Sequence, residues 1–191
     1  MFSEPEKNIE QLGIHPNEVI ADFGTGGGAY AIAAAKALKG TGRVYAVDVQ
    51  KELLTRLQNT AREEKLGNLE VIWGNLDVLG GSKIRDGLCD VVIASNVLFQ
   101  CPNKRVTVEE AKRVLKHGGR FLVIDWTSSL NNLGPRREDL FPEAEAISLI
   151  ESLNFTLERH INAGSFHYGL IFRKGIYHAP SSATTPTSSH P

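Results

Sequence analysis

Within the stretch ADFGTGGGAY, Asp22 stands two residues before Gly24, and four glycines fall between positions 24 and 28. Glycine loses more backbone entropy on folding than any other residue, so such a cluster at an element junction marks a sharp turn or a close approach. Gly24, Gly26 and Gly28 are expected to let the main chain come up to a ligand where a Cβ would collide. Asp48, in VYAVDV, follows Gly28 by twenty residues. A carboxylate at the end of the next strand can accept both hydroxyls of a ribose, while the helix opened by the glycines presents unpaired N–H groups. For Asp48 alone, a helix N-cap is the competing reading. Together these residues point to a bound nucleoside, and Asp22 adds a negative charge that suits a cationic group on it.

Side chains can meet a ligand in this way only if strands and helices alternate. The sequence predicts helices over 3–13 (Ser3 as N-cap, Gly13 as stop), 28–39, 51–67, 106–119 and 143–154. Strands are expected over 18–24, 43–49, 69–75, 89–96, 120–126, 155–163 and 166–174. The inner strands are apolar nearly throughout, which is the pattern of parallel strands buried on both faces. The link around Gly164 is read as about two residues, too short for a parallel crossover, so the last two strands must form a hairpin. The fold class is therefore α/β: a doubly wound, seven-stranded, mostly parallel, Rossmann-like sheet with a terminal antiparallel hairpin. Ligands of such sheets lie beyond the carboxyl ends of the strands. Here those ends carry Asp22 to Gly28, Asp48-Val49-Gln50, Gly74 to Asp77, Ser95-Asn96 and Asp125-Trp126.

The whole chain of 191 residues is long enough for one domain with a substantial core. The working domain is expected to span 1–174. The Ser/Thr/Pro-rich remainder, 175–191, has too little apolar surface to offset ordering and is read as a disordered tail. A formal net charge of -1 and isolated basic pairs such as Arg136-Arg137 lack the basic stripe of a nucleic-acid partner. No apolar run approaches the roughly 18 residues of a membrane helix, and the first residues lack a secretory layout. A cytoplasmic protein is the expectation. Cys89 and Cys101 are too few for a disulfide framework or a zinc cluster, and no metal site is predicted.

Gly24 to Ala29 also satisfies the G-x-G-x-x-A fingerprint of NAD sites, so an NAD(P)-dependent reductase has to be weighed. Asp22 opposes it, because its carboxylate would face a pyrophosphate. The short chain and the closing hairpin, in place of a second nucleotide-binding half, oppose it too. Taken in order, VIADFGTGGG, VYAVDV, GN, CDVVIASNVL and EAKRVLKHGGRFLVIDW resemble a class I S-adenosylmethionine-dependent methyltransferase. The nearest group is that of the ubiquinone/menaquinone biosynthesis C-methyltransferases and the arsenite methyltransferases. The resemblance covers roughly 14–174 and implies a cofactor, S-adenosyl-L-methionine. Asp22 and the backbone of Gly24, Thr25, Gly26 and Gly28 would then hold its methionine part, and Asp48 its ribose. Val49 would lie against the adenine, Asn75 and Leu76 at the adenine edge, and Asn96 at the methyl end. Asn75 departs from the family's acid at that position, and Lys116-His117-Gly118-Gly119 from its usual Lys-Pro-Gly-Gly; His117 is read as a solvated turn residue. The arsenite branch needs several placed thiols, and only Cys101 is near the pocket.

Methyl transfer from a sulfonium is an in-line displacement that positioning alone can accelerate, so no catalytic dyad has to be visible. The candidates on the acceptor side are Asp125, His167 and Tyr168. Asp125 divides between substrate contact and capping the loop after it. The stretch 127–139 reads as a lid, with the helix at 3–13 as a second cover. Arg136 or Arg137 is either a hold for an anionic substrate or a solvated pair. The acceptor is expected to be a small molecule. A non-catalytic module that binds S-adenosylmethionine stays open beside the reductase.

Overall fold

The computed structural model describes residues 3–128 and 134–175. The expected tail from 176 onward and the part of the expected lid at 129–133 lie outside the described residues. Five helices, α1 (Pro5–Leu12), α2 (Ala29–Ala37), α3 (Lys51–Glu63), α4 (Lys104–Val114) and α5 (Glu143–Glu151), pack on one sheet. Its strands are β1 (Val19–Phe23), β2 (Arg43–Asp48), β3 (Leu69–Trp73), β4 (Cys89–Ser95), β5 (Leu115–Trp126), β6 (Phe155–Ile161) and β7 (His167–Lys174). The order is β3-β2-β1-β4-β5-β7-β6, with β1 to β5 parallel and β7 antiparallel to both neighbours. The expected seven-stranded, doubly wound architecture is therefore present, and the winding reverses between β1 and β4.

Alternation along the strands sorts their side chains onto two cores. Ile20, Val44, Ala46, Ile93, Ile124 and Ile171 pack against α1, α2 and α3 through residues such as Leu12, Ala34 and Leu57. Phe23, Val47, Ala94, Phe121, Val123 and Phe172 pack against α4 and α5 through Val108, Ala111, Ala146 and Ile150. α1 is tied down at its end by Arg120, a buried side chain of β5. Its guanidinium donates to the carbonyls of Leu12 (2.6 Å) and Gly13 (2.8 Å) and pairs with both oxygens of Glu18.

Four local expectations are corrected. Ser3 does not cap α1: Glu4 holds the cap position, and the Ser3 hydroxyl lies 2.7 Å from the Tyr30 hydroxyl instead. α4 begins two residues early because the Asn103 side chain accepts the Val106 N–H. It also ends at Val114 rather than at the glycines. Lys116 to Gly119 belong to β5, in a bulge opposite Cys89/Val91, with Gly118 at φ 71°. The hairpin link runs over 162–166, five residues rather than two, with the Asn162 side chain accepting the Gly164 N–H.

Candidate functional site

The carboxyl rim of the sheet carries the polar side chains, and the two-residue period decides which of them share a face. Asp22 continues the row of Ile20, Asp48 that of Ala46, Ser95 that of Ile93 and Trp126 that of Ile124, all on the α1–α2–α3 side. His167 pairs with Trp126 across β5 and β7, and their rings stand 4.3 Å apart at 39°. Asp22, Asp48, Ser95, Trp126 and His167 therefore line one side of one rim, spread over five strands.

The glycine loop does something different from what was expected of it. A Cβ on Gly24 would strike Val97, and one on Gly28 would come within 2.2 Å of Leu57, so these two glycines make room for the protein's own core. Gly24, Gly26 and Gly28 all have positive φ, a conformation disfavoured for side-chain-bearing residues. Gly27 faces open space, and Gly26 nearly so. The loop is a left-handed turn packed from below and bare on top.

Asp48 locks that turn to β2. Its carboxylate accepts the N–H of Gly26 and of Gln50, each at 2.9 Å, so it is no plain helix cap. Asp22 is 2% exposed and accepts the Thr25 hydroxyl at 2.5 Å. Burial pushes its carboxyl up to about 7; the Thr25 hydroxyl and the Ala31 N–H oppose the rise, and the charge of Asp48 adds to it. A cation placed beside such a carboxyl would favour its charged form and draw the value back down.

On the far side of Asp48, Val49 is 53% exposed and Trp73 is 52% exposed, with the indole N–H donating to the Val49 carbonyl at 3.0 Å. Leu76 is buried in the α4–α5 core, and the Asn75 side-chain oxygen accepts the Asp77 N–H at 2.9 Å, forming an Asx turn. Sequence reasoning missed what holds this loop. Glu110, fully buried on α4, accepts the N–H groups of Gly80 (2.7 Å) and Ser82 (3.0 Å) and two nitrogens of Arg113. Its i,i+3 spacing from Arg113 looked like any surface helix pair. Burial pushes the Glu110 carboxyl up, but the bonds from Arg113, Ser82 and Gly80 outweigh it and hold the group at about 2, against an ordinary 4.5. The folded value lies below the unfolded one, so this stabilisation is complete above about pH 4.5 and is lost as pH falls toward 2. At 1.36 kcal/mol per unit it is worth about 3 kcal/mol. Glu110→Gln is expected to lower the unfolding free energy by about that amount at pH 7 and by much less at pH 3. Urea melts at both pH values check this; an equal deficit at both would sink the assignment.

The acceptor-side candidates separate by face. Asp125 and Tyr168 point to the α4–α5 side. The Asp125 carboxylate accepts the N–H of Phe99 (3.0 Å) and of Trp126 (2.9 Å), so it caps the 3-10 turn Leu98–Gln100 rather than the loop that follows. Burial lifts it to about 6, against the pull of those N–H groups. The Tyr168 hydroxyl donates to the Phe141 carbonyl at 3.1 Å, and burial with the Asp125 charge drives its pKa up. Both side chains are engaged in holding the fold. His167 is different: it is buried, and neither ring nitrogen has a partner among the described residues. The Ser95 hydroxyl and the Asn96 side-chain oxygen are likewise buried and unpaired among them, with Asn96 in left-handed backbone at φ 57°.

The remaining candidates are held in the fold or exposed away from the rim. The Cys101 thiol donates to the Val97 carbonyl and is pushed up by burial, and burial takes Cys89 up to about 12 at the opposite end of β4. Arg136 pairs with Asp139 and Glu138 and is exposed, which is the solvated reading. His117 is exposed. A concavity of about 950 Å³ opens at the other end of the sheet between Asp86, Lys112, Lys116 and Lys174. Its cations are largely paired with local carboxylates or carbonyls. It shares no residue with the rim. Among the described residues there is no cluster that could hold a metal ion and no helix long and apolar enough to cross a membrane.

A Rossmann-like sheet of this strand order, with acids ending β1 and β2 around a glycine turn, defines a class of nucleoside-binding α/β proteins. The family model for the methyltransferase domain matches residues 14–167, and the chain belongs to that family. The ubiquinone/menaquinone biosynthesis C-methyltransferase UbiE of Hydrogenovibrio crunogenus is 31% identical over 137 residues, covering 70% of this chain and 52% of the relative. The arsenite methyltransferase of Homo sapiens is 29% identical over 117 residues, covering 58% of this chain and 31% of its own. The chain thus spans about half, or less, of the length of these relatives. A solved structure described as a SAM-dependent methyltransferase from Aquifex aeolicus superposes with a TM-score of 0.81 at 25% identity, covering 90% of each chain.

Proposed function

We propose that this chain transfers a methyl group from S-adenosylmethionine to a small-molecule acceptor. The observation that carries the reading is Asp22, a buried carboxyl with a pKa near 7 beneath a bare glycine turn, on the same face as Asp48. A cationic amine satisfies that carboxyl, whereas a pyrophosphate would meet two acids. The residues fit the cofactor: Asp22 with the backbone of Gly24, Thr25, Gly26 and Gly28 for the methionine end, Asp48 for the ribose, and exposed Val49 for the adenine face. Asn75 and Leu76 would meet the adenine edge, and Asn96, whose side-chain oxygen has no partner among the described residues, the methyl end.

When bound, the sulfonium supplies a methyl carbon with a neutral thioether as leaving group. What the chain contributes is positioning. The glycine turn with Asp22 would hold the methionine end and its ammonium, Asp48 would hold the ribose, and the acceptor would be received over β4 and β5. Such orientation supplies most of the rate in a reaction that needs no metal or covalent intermediate. The protein is read as working in the cytoplasm, as a single domain over 1–174.

Calorimetric titration with S-adenosylmethionine, S-adenosylhomocysteine and NADH tests the reading. Both sulfur ligands are expected to bind at micromolar concentrations and NADH not at all. NADH binding without the sulfonium would make the protein a reductase. Binding of the sulfonium with no turnover on any acceptor would favour a non-catalytic module.

A further inference from the structure

β3 closes the sheet beyond β2, and two of its bonds show which way its main chain faces. The Val44 N–H donates to the Asn68 carbonyl, and the Gly74 N–H to the Asp48 carbonyl. Along a parallel pair such bonds fall on alternate residues, so positions 68, 70, 72 and 74 face β2. The main-chain groups of Leu69, Val71 and Trp73 therefore point off the sheet. The Leu69 N–H is taken by the Leu66 carbonyl at 3.2 Å. That leaves the Leu69 carbonyl, and both groups of Val71 and Trp73, on the open edge. The opposite edge is defended. β6 has a bulge between Leu157 and Arg159, exposed charges at Glu158 and Arg159, and bonds from Arg159 and Asn162 to Gln11 of α1. β3, Leu-Glu-Val-Ile-Trp, pairs with β2 without a bulge and carries no proline and a single charge. An edge of that kind is a template for another strand.

The side chains of this strip supply a projection and a recess. Leu69 and Val71 pack with the α1–α2–α3 core, and by the two-residue period Trp73 stands on the same face. At one end the Trp73 indole is 52% exposed. At the other, α3 and β3 enclose a concavity of about 420 Å³ whose apolar lining includes Ala61, Leu66, Leu69 and Val71. Trp73 and Leu69 lie two residues to either side of Val71. A twofold axis through Val71, perpendicular to the sheet, exchanges projection and recess, which is the self-complementarity that an isologous dimer needs. A strand of unrelated sequence would have to offer both a large side chain and a hollow at the same spacing.

We propose that two copies of this chain pair through β3, antiparallel about Val71, so that their sheets run on as one. The two Val71 residues exchange N–H···O bonds, and each Trp73 N–H donates to the partner copy's Leu69 carbonyl. Each indole seats beside the partner copy's Leu69, in the recess against α3, at the close spacing of directly opposed residues. The charges oppose this contact. Lys51 and Lys83 stand 4.8 and 4.5 Å from the Trp73 ring centre, and Arg62 and Lys65 line the recess. The twofold brings these like charges toward one another, so the association is apolar in origin and strengthens as salt screens them. A strip this short belongs with the small, transient interfaces rather than the obligate ones. The proposal goes beyond the methyl-transfer reading and does not depend on it. The same indole donates to the Val49 carbonyl at 3.0 Å, one residue from Asp48, so the dimer face abuts the nucleoside end of the rim.

Sedimentation equilibrium on the full chain, from about 5 to about 500 µM, tests the proposal. The mass is expected to rise from 20.9 kDa toward twice that value with concentration. Association should be about tenfold tighter in about 0.5 M sodium chloride than in about 0.05 M. Hydrogen exchange followed by NMR should find the Val71 and Trp73 amides slowed about tenfold at the dimer's concentrations relative to dilute protein. Val71→Pro removes the central donors without touching a bond to β2, so it should keep the wild-type circular dichroism and weaken association about tenfold or more. Trp73→Ser empties the recess and should weaken it as much. His160→Gln, at an exposed residue of the opposite edge, should associate as the wild type does. A wild type that stays at 20.9 kDa at both salt concentrations overturns the proposal. So does a dimer that loosens with added salt, one whose Val71 and Trp73 amides exchange as in the monomer, or one that Trp73→Ser leaves intact, whether or not Val71→Pro folds.

Discussion

Asp22→Asn is expected to weaken S-adenosylmethionine binding by one to two orders of magnitude at pH 8 while making the ligand-free protein more stable. The two effects share one cause. Burial holds the Asp22 carboxyl near 7 rather than 3.8, so the folded protein binds its proton more tightly than the unfolded chain does. For a raised acid, folding stability falls as pH climbs from about 4 through 7. About three units at 1.36 kcal/mol give a cost of roughly 4 kcal/mol once the group is fully ionised. An asparagine still accepts the Thr25 hydroxyl and carries no charge, so the variant should gain most of that at pH 8 and little at pH 4. Binding runs the other way. Only the carboxylate pairs well with an ammonium, a charge-assisted bond worth about 1.5–3 kcal/mol.

The pH dependence follows with a definite sign. Below pH 7 the affinity of the wild type for S-adenosylmethionine should improve up to tenfold per unit as Asp22 gives up its proton. Above about pH 8 it should decline again as the cofactor's own α-amino group deprotonates. Calorimetry from pH 5.5 to 9 would trace this maximum, and Asp22→Asn should lack the acid limb. A wild-type affinity that is flat from pH 5.5 to 7.5 would separate Asp22 from the ammonium.

Asp48→Ala should cost about 2 kcal/mol of cofactor binding, roughly thirtyfold, through loss of a bidentate contact to the ribose hydroxyls. Its present partners complicate a single measurement. The carboxylate also holds the N–H groups of Gly26 and Gln50, so its loss loosens the glycine turn and is expected to cost about 1–2 kcal/mol of stability. A cycle with the 2′,3′-dideoxy analogue of S-adenosylhomocysteine separates the two. On wild type, removing the hydroxyls should weaken binding about as much as removing the carboxylate, and on Asp48→Ala it should weaken it little further. Full additivity of the two losses would mean that Asp48 acts only by holding the turn.

The local pattern of the chain was enough to order the strands and helices, because their periods and glycine stops are written within a few residues of each element. It was also enough to mark the rim, since five consecutive strand ends are polar or glycine. The placing of Asp22 and Asp48 around one glycine turn was legible for the same reason: twenty residues from Gly28 to Asp48 fit one helix and the strand after it, and little else. What the pattern left undecided was direction. Asp125, Tyr168 and His167 are equivalent in a list of strand ends. Only the cross-strand register sends the first two into the α4–α5 core, to the Phe99 N–H and the Phe141 carbonyl, and leaves His167 facing the rim.

Sequence by itself determined the fold class, the family and the acids around the glycine turn, because each depends on residues close in the chain or on strict periodicity. Tertiary structure alone decided the rest. Gly24 and Gly28 turned out to leave room for the side chains of Val97 and Leu57. Glu110 was found gripping a loop thirty residues away, and His167 was found without a partner among the described residues. Each of these depends on atoms that are distant in sequence and brought together only when the strands take their register. A change of one residue in that register would exchange the two faces of the rim and, with them, which side chains can do chemistry.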